Sequence, residues 1–179
     1  EKGDMQEYPI NYLDELAAQS PFFRKSFTSY TKFSFSTANQ IINTDTISAK
    51  NTFYVNTTTS YVLWNDKGKF TWQVLPVDAQ VAPVKKLLVH DFNGDTFNDV
   101  LIAGNDHTYD VSTGNYDSNK GLILLGTGSK EFTTMPPTQS GLLLNGQVES
   151  LIHLKSDTLS YVIGGINRSK LQIYKLIKK

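Results

Sequence analysis

The stretch from Asp91 to Asp99 has the side chains and the spacing of a calcium-binding loop. Oxygen-bearing side chains occupy its first, third, fifth and ninth positions: Asp91, Asn93, Asp95 and Asp99. Ca²⁺ prefers about six to eight oxygen ligands, and several carboxylates together offset its double charge. Gly94 lets the backbone turn sharply. We therefore predict that these four side chains and the main-chain carbonyl of Phe97, at the seventh position, bind one Ca²⁺ ion.

This loop differs from an EF-hand at two diagnostic positions. The twelfth residue is Ile102 instead of Glu, and the sixth is Thr96 instead of Gly. The alternative interpretation is a β-turn rich in Asp, Asn and Gly, whose side chains bond only their own backbone. The spacing of the four oxygen-bearing side chains between two predicted strands favours the metal site.

The elements that must position this loop are short strands. From Asn51 onward, apolar or alternating runs are separated by Gly, Asn, Asp and Pro, which is typical of an all-β chain. The predicted strands are Thr52–Val55, Tyr61–Trp64, Phe70–Leu75, Lys86–His90, Val100–Ala103, Gly121–Leu125, Phe132–Met135, Val148–Leu154, Tyr161–Gly164 and Leu171–Leu176. Because no helical pattern lies between them, we expect antiparallel sheets.

Two predicted hairpins repeat one another. The run from Tyr61 to Thr71 matches the run from Leu122 to Thr133: an apolar strand, a turn containing Gly, and Phe-Thr opening the return strand. For the first hairpin we predict a turn over residues 66–68. That turn sets Trp64 opposite Phe70 and Val62 opposite Trp72, so that the four side chains form a cluster on one face.

A second correspondence gives the period of the repeat. Residues 87–90 match 151–154, and residues 100–105 match 161–167. A period of about 60 residues with about four strands is typical of propeller blades, and a propeller closes with about 4–8 of them. We predict a partial β-propeller of about two four-stranded antiparallel blades over residues 51–179. Further blades, on the same precursor or on a partner chain, would complete it; a sandwich of ten strands is the alternative.

Residues 1–50 predict a short helical segment that packs on the propeller. A helix is expected from Asn11 to Gln19, and Ser20-Pro21 has the pattern of an N-cap followed by proline in the first turn. Ser36 is expected to cap a further helix over residues 37–42. One apolar face is predicted to carry four aromatic side chains: Phe22, Phe23, Phe27 and Tyr30.

Composition excludes several classes of function. Lys and Arg number 17 and so do Asp and Glu, so the chain lacks the basic surplus of a nucleic-acid-binding protein. No apolar run approaches the length that a membrane span requires. The chain contains no Cys, which excludes disulfides, thiolate-bound zinc and Cys catalysis. It also lacks the nucleophile-elbow, P-loop and dinucleotide-binding motifs.

A second, weaker candidate site lies in the polar segment from Asp106 to Lys120. Tyr109, Asn115 and Tyr116 could contact a glycan or a peptide there, because long loops often carry binding residues. A packed connector is the alternative. His90 and His153, which fall in strands at corresponding positions of the repeat, are predicted to be structural.

The loop from Asp91 to Asp99, followed by Val100-Leu-Ile-Ala-Gly-Asn105, resembles the FG-GAP/VCBS repeat of integrin α-subunit propellers and bacterial surface proteins. The series of motifs from Leu75 to Leu142, with the stretch from Asp14 to Tyr30, resembles the C-terminal part of Bacteroidetes FG-GAP repeat proteins related to the ASPIC/UnbV, cartilage-acidic-protein-like group. The resemblance implies a Ca²⁺-stabilised propeller, exported and displayed at the cell surface or outer membrane or released outside the cell. That family usually has Gly at the sixth loop position, where this chain has Thr96.

These observations predict a non-enzymatic calcium-binding module for ligand binding, adhesion or assembly of an outer-membrane complex, with a surface protein or a glycan as ligand. The alternative is the propeller part of a carbohydrate-active enzyme whose catalytic residues lie in blades outside this chain. The first is favoured because the calcium loop accounts for most of the clustered carboxylates, which leaves no acid and base pair.

Overall fold

The computed structural model describes residues 6–42, 53–109 and 114–177. The chain divides into two compact units, Glu1–Asn56 and Thr57–Lys179. The boundary predicted between residues 50 and 51 lies outside the described residues. Among the described residues, no helix is long and apolar enough to cross a membrane.

The described residues of the first unit form four short helices: α1 Leu13–Gln19, α2 Pro21–Ser26, α3 Tyr30–Ser34 and α4 Ala38–Ile41. The predicted start of α2 is confirmed, because the Ser20 hydroxyl accepts the Phe22 N–H and Pro21 occupies the first turn. The predicted cap of α4 is wrong. Thr37 is the N-cap and forms a capping box with Gln40, whereas the Ser36 hydroxyl donates to the carbonyl of Lys32.

The core of this unit is built from side chains of several helices. Leu13, Phe27, Phe33 and Ile41 are buried together, and Leu16 and Phe23 pack against them. The predicted single aromatic face is wrong, since Phe22 and Tyr30 are 61% and 60% exposed. The reason is that α2 ends at Ser26 and Phe27 adopts extended backbone, which breaks the helical spacing.

The second unit is mostly β, as predicted. Its strands are β1 Tyr61–Asp66, β2 Lys69–Val74, β3 Val84–His90, β4 Asp99–Gly104, β5 Leu122–Gly126, β6 Phe132–Met135, β7 Val148–Lys155, β8 Ser160–Ile166 and β9 Gln172–Lys175. A 3₁₀ turn, Val77–Gln80, and a one-turn helix, α5 Pro137–Ser140, join them. Of the predicted strand Thr52–Val55, Thr52 lies outside the described residues and residues 53–55 form no strand.

The nine strands form three antiparallel sheets, in the orders β1-β2, β3-β4-β5-β6 and β7-β8-β9. Within the described part of the chain, only the second sheet has the four strands predicted for each repeat. The described strands do not close into a ring.

The register of the first hairpin differs from the prediction. Trp64 lies opposite Thr71, Leu63 opposite Trp72, and Asp66 opposite Lys69. The turn therefore contains two residues, Lys67 and Gly68, instead of three. Because side chains alternate along a strand, this change of one residue separates the predicted Trp64–Phe70 and Val62–Trp72 pairs.

The four-stranded sheet has a buried apolar cluster on each face. On one face, Ile102, Leu122 and Leu124 are buried with Ala79 of the 3₁₀ turn. On the other, buried side chains of this sheet, of the three-stranded sheet and of the connection between them form one cluster: Leu101, Ala103, Ile123, Leu142, Leu144, Val148, Val162 and Ile166. Because side chains alternate between the two faces of β4, consecutive residues of this strand contribute to the two different clusters.

Contacts at β6 hold the two-stranded sheet against the four-stranded one. The rings of Trp64 and Phe132 stack with centroids 5.6 Å apart, and Lys130 forms an ion pair with Asp66. The Gln80 side chain bonds both main-chain groups of Ser60, at 2.7 Å from its N–H and 2.9 Å from its carbonyl oxygen. The first two contacts fix the outer part of the hairpin on the four-stranded sheet, and the bonds of Gln80 hold the residue before β1 to the 3₁₀ turn.

Candidate metal site

The residues of the acidic turn (91–99) connect β3 to β4. The two strands pair antiparallel, with His90 opposite Asp99, so the strand ends fix the two ends of the turn. The turn is exposed apart from Asp99, which is fully buried, and the half-buried Asp91 and Phe92. The sequence thus folds locally as predicted, with the oxygen-bearing side chains between two strands.

The Asp91 carboxylate is the main acceptor of the turn. Its Oδ1 accepts the N–H of Gly94 at 2.7 Å and of Asp95 at 3.2 Å, and its Oδ2 accepts the N–H of Thr96 at 3.0 Å. Partial desolvation raises the pKa of Asp91, but the three N–H donors together outweigh it and leave the pKa below its ordinary value. Asp91 is therefore a carboxylate at neutral pH.

Asn93 and Asp95 interact with each other across the turn. Asn93 Oδ1 accepts the Asp95 N–H at 3.0 Å, and Asn93 Nδ2 donates to Asp95 Oδ2 at 2.8 Å. Asp95 Oδ1 accepts the Phe97 N–H at 2.8 Å. Three predicted ligands, Asp91, Asn93 and Asp95, therefore lie in one exposed turn.

Asp99 has a different position from the other predicted ligands. Its Oδ2 accepts the Phe92 N–H at 2.8 Å, and its Oδ1 accepts the Gly126 N–H at 2.9 Å. The side chain thus ties the start of the turn to the end of β5. A Cβ at Gly126 would lie 2.3 Å from the carbonyl oxygen of Asn98, so this close approach requires glycine.

The donor chemistry of the turn fits a hard cation, although the described residues contain no group of three or more His, Cys, Asp and Glu placed to hold a metal ion. Asp91, Asn93 and Asp95 supply carboxylate and amide oxygens, which Ca²⁺ prefers. Each oxygen has more than one acceptor site, so a bond from a backbone N–H leaves capacity for a cation. Asp99 would contribute only by sharing oxygens that already accept two N–H groups.

Two residues of the turn have left-handed backbone. Gly94 has φ +84° and Thr96 has φ +74°. A β-branched residue pays a steric cost in this region, which glycine avoids. The structure therefore explains why Gly suits the sixth position of such a loop better than Thr96.

The weaker predicted site is partly assembled. The rings of Tyr109 and Tyr116 meet edge to face with centroids 4.8 Å apart, and they are 50% and 41% exposed. Main-chain hydrogen bonds between Asp106 and Tyr116, of 2.8 and 2.9 Å, hold the base of the loop. Asn115 is exposed and follows Gly114 in the chain. Residues 110–113 lie outside the described residues.

A buried polar network beneath this loop was not identified from the sequence. Asn105 is fully buried, and its amide donates to the carbonyls of Asn119 and Gly146 at 2.7 and 3.0 Å. Its Oδ1 accepts the Asn119 N–H at 2.8 Å. The available signal was a Gly-Asn pair following the predicted strand Val100–Ala103, since Asn tolerates the left-handed backbone that Asn105 adopts, with φ +72°.

The Asp106 carboxylate forms an ion pair and two hydrogen bonds that the sequence did not indicate. Lys85 Nζ lies 2.6 Å from its Oδ2, and Thr108 donates its hydroxyl and its N–H to Oδ1 at 2.6 and 2.9 Å. Lys85 is the main cause that lowers the pKa of Asp106 to about 2, with Thr108 second. These bonds attach the loop base to β3.

Beside the acidic turn, two histidines meet between neighbouring sheets. The rings of His90 on β3 and His153 on β7 lie 4.0 Å apart between centroids. His153 Nε2 is 2.6 Å from the Ser160 hydroxyl oxygen. Desolvation, and then the charge of His153, lower the pKa of His90, so this residue is neutral at neutral pH.

Comparison with known proteins found no match to this chain among family models, curated proteins or solved structures. The resemblance to FG-GAP/VCBS repeats therefore remains a prediction from the motifs.

Proposed function

We propose that the chain is a calcium-binding part of a β-propeller, and that it serves in binding or assembly without catalysis. The observation that carries the proposal is the acidic turn: Asp91, Asn93 and Asp95 present their oxygens in one exposed turn between adjacent antiparallel strands. Ca²⁺ would be held by these side chains, by the Phe97 carbonyl and by shared oxygens of Asp99. The ion would stabilise the turn by offsetting the charges of its carboxylates.

The arrangement of the sheets supports a propeller. Sheets of a propeller stack face to face in the order of the chain, and the four-stranded sheet here shares one apolar cluster with the three-stranded sheet that follows it. On its other face, Phe132 stacks on Trp64 of the sheet that precedes it. The stack would continue into further blades, on the same precursor or on a partner chain.

The ligand surface of the proposal is the tyrosine pair Tyr109 and Tyr116, with Asn115 beside it. Exposed aromatic rings give apolar area with a polar tip, which suits contact with a glycan or a protein. Cell-surface or extracellular location is part of the same proposal, because extracellular calcium is abundant enough to fill sites of modest affinity.

Titration calorimetry tests the metal site directly. We expect one Ca²⁺ ion to bind per chain, and Ca²⁺ to raise the melting temperature relative to a chelator such as EGTA. Asp95→Ala should abolish both effects. The matched control is Asp157→Ala in the turn between β7 and β8, where Lys155 stands in place of the first ligand.

Absence of calorimetric binding by the unmodified chain would contradict the proposal. Because Asp95 also accepts the Phe97 N–H, Asp95→Ala can weaken the turn without any metal. A loss of stability that is equal in Ca²⁺ and in EGTA would therefore assign Asp95 a structural role only.

A further inference from the structure

An apolar groove opens between the two-stranded sheet and the four-stranded sheet. Its volume is about 460 Å³, and its walls combine side chains of both sheets: Val62, Leu87, Val89, Val100, Ile102 and Phe132. Leu87 and Val89 of β3 are 63% and 51% exposed at this groove. Large apolar side chains on neighbouring strands thus remain uncovered in the same place.

The groove continues an interface that is already packed. At β6, Trp64 stacks on Phe132 and Asp66 pairs with Lys130, so the outer half of the contact between the sheets is filled. At β3, neither strand of the two-stranded sheet pairs with the four-stranded sheet among the described residues, and Leu87 and Val89 remain exposed.

The internal repeat indicates what covers the groove. The run starting at Tyr61 in β1 corresponds to the run starting at Leu122 in β5. In the four-stranded sheet, β5 pairs with β6 on one edge and with β4 on the other. Among the described strands, β1 pairs with β2 alone, so the edge that corresponds to the β4 side of β5 is free.

We propose that the free edge of β1 and the groove form a docking site for an antiparallel pair of strands donated by another polypeptide. The pair would resemble β3 and β4: it would bond to the β1 backbone and insert apolar side chains into the groove, by strand addition. This inference rests on the blade arrangement of the proposed function, but it does not require calcium.

A second copy of this chain does not supply such a pair. Its own β3 and β4 are already part of a sheet, with β4 between β3 and β5. Leu101 of β4 is fully buried in the cluster shared with the three-stranded sheet, and Leu88 of β3 packs against that cluster. Releasing these strands would expose the core of the donor. A strand pair that is not already part of a sheet therefore fits this site better than the strands of a second copy do.

The test uses the full chain with a second copy of residues 82–105 joined to its N-terminus by a long Gly/Ser linker. In the joined copy, the residues equivalent to Leu88 and Leu101 would face the groove. Amide hydrogen exchange is measured across β1, in Ca²⁺ and in EGTA. We expect at least about a tenfold slowing of exchange in β1 in both conditions, and weaker binding of an apolar dye.

The matched control carries Leu88→Asp and Leu101→Asp in the joined copy only, and should leave β1 exchange unchanged. Equal exchange with both joined copies would overturn the inference, whether both slow β1 or neither does. Concentration-dependent dimerisation of the unmodified chain with protection of β1 would also overturn it, because the occupant would then be a second copy. Failure of calcium binding alone would contradict the metal site and leave strand docking intact.

Discussion

At the scale of single residues, the carboxylates of the acidic turn accept hydrogen bonds from backbone N–H groups and so hold the turn in its conformation without a bound ion. Asp91 accepts three N–H groups of the turn, and Asp99 joins the turn to β5. Such bonds are strongest when the acceptor is charged. The turn is therefore held in shape by the same side chains that would bind Ca²⁺, which reduces the ordering that binding must impose.

Thr96→Gly should stabilise the chain. Thr96 has φ +74°, and left-handed backbone costs a non-glycine residue about 1–2 kcal/mol, against about 0.5–1 kcal/mol for the added freedom of glycine in the unfolded chain. We expect the free energy of unfolding in urea to rise by roughly 0.5–1 kcal/mol. The control is Thr158→Gly, because Thr158 lies in a turn but does not have a positive φ. This variant should lower the free energy of unfolding. A Thr158→Gly variant that is more stable than Thr96→Gly would contradict the argument.

Asp106→Asn should have an effect that depends on pH. The pKa of Asp106 is about 2 in the folded chain, below its ordinary 3.8, chiefly because of Lys85. A lowered carboxylate pKa stabilises the fold above the ordinary pKa, and this stabilisation is lost as pH falls toward 2. The gap in melting temperature between wild type and variant should be constant above about pH 5 and narrow from pH 4 to 2.

Lys85→Met gives the control for this titration, because it removes the largest cause of the shift. The gap should then narrow by a smaller amount and finish narrowing at a higher pH, because the pKa of Asp106 in the folded chain lies closer to its ordinary value. A gap between wild type and Asp106→Asn that is the same at pH 7 and pH 2 would show that the Asp106 charge does not stabilise the fold.

At the scale of elements, the two-residue turn of the first hairpin determines which side chains share a face. Lys67 and Gly68 have φ +49° and +93°, as a type I′ turn requires at both central positions. Asn65 Oδ1 accepts the Gly68 N–H at 2.8 Å and supports the turn. The packed face therefore carries Trp64, and Leu63 and Trp72 are exposed on the other.

Gly68→Ala should destabilise the hairpin by about 1 kcal/mol, since Ala disfavours positive φ. Lys67→Asn should be neutral or slightly stabilising, because Asn tolerates the left-handed region. Urea unfolding followed by tryptophan fluorescence measures both. A neutral Gly68→Ala would contradict the left-handed backbone at this position.

The strand positions were predictable, but the register was not. Short alternating runs bounded by turn residues located nine strands. A turn of two residues and one of three are both compatible with Asn65-Asp66-Lys67-Gly68, and the apolar residues of both strands occur on either face. Local pattern therefore could not decide which face of the hairpin is buried.

The candidate site was predictable in its residue types and less so in their roles. Asp91, Asn93 and Asp95 fall in one turn, as their spacing indicates, whereas Asp99 is the buried first residue of β4. That Asp99 bonds Gly126 depends on a strand 27 residues away, which no local spacing shows. In the helical unit, α2 ends before Phe27, whose ring packs edge to face on Phe33. Helical periodicity alone therefore placed too many aromatic side chains on one face.

At the scale of the whole second unit, the outer face of the three-stranded sheet remains apolar and uncovered. Ile152, Ile163 and Ile173 lie in one row across β7, β8 and β9, and Ile152 and Ile173 are exposed. Leu151, the neighbour of Ile152 on β7, packs against the core shared with the four-stranded sheet. Exposed apolar faces of this kind mark contact surfaces.

Ile152→Lys with Ile173→Lys should reduce dye binding and self-association, measured by fluorescence and light scattering, with little change in melting temperature. Leu151→Lys is the matched control on the opposite face and should cost about 3 kcal/mol or more, because it buries a charge. A monomeric wild-type chain that unfolds cooperatively and binds no dye would contradict the expectation that further blades cover this face.

The bonds of Asp99 have a consequence for spectroscopy. The N–H groups of Phe92, in the acidic turn, and of Gly126, at the end of β5, both donate to this one buried carboxylate. Any rotation of the carboxylate must lengthen or bend one or both bonds, and the proton resonance of each amide shifts with that geometry. The amide chemical shift of Gly126 in a two-dimensional NMR spectrum therefore reports on the conformation of the acidic turn, although Gly126 lies on another strand and has no side chain.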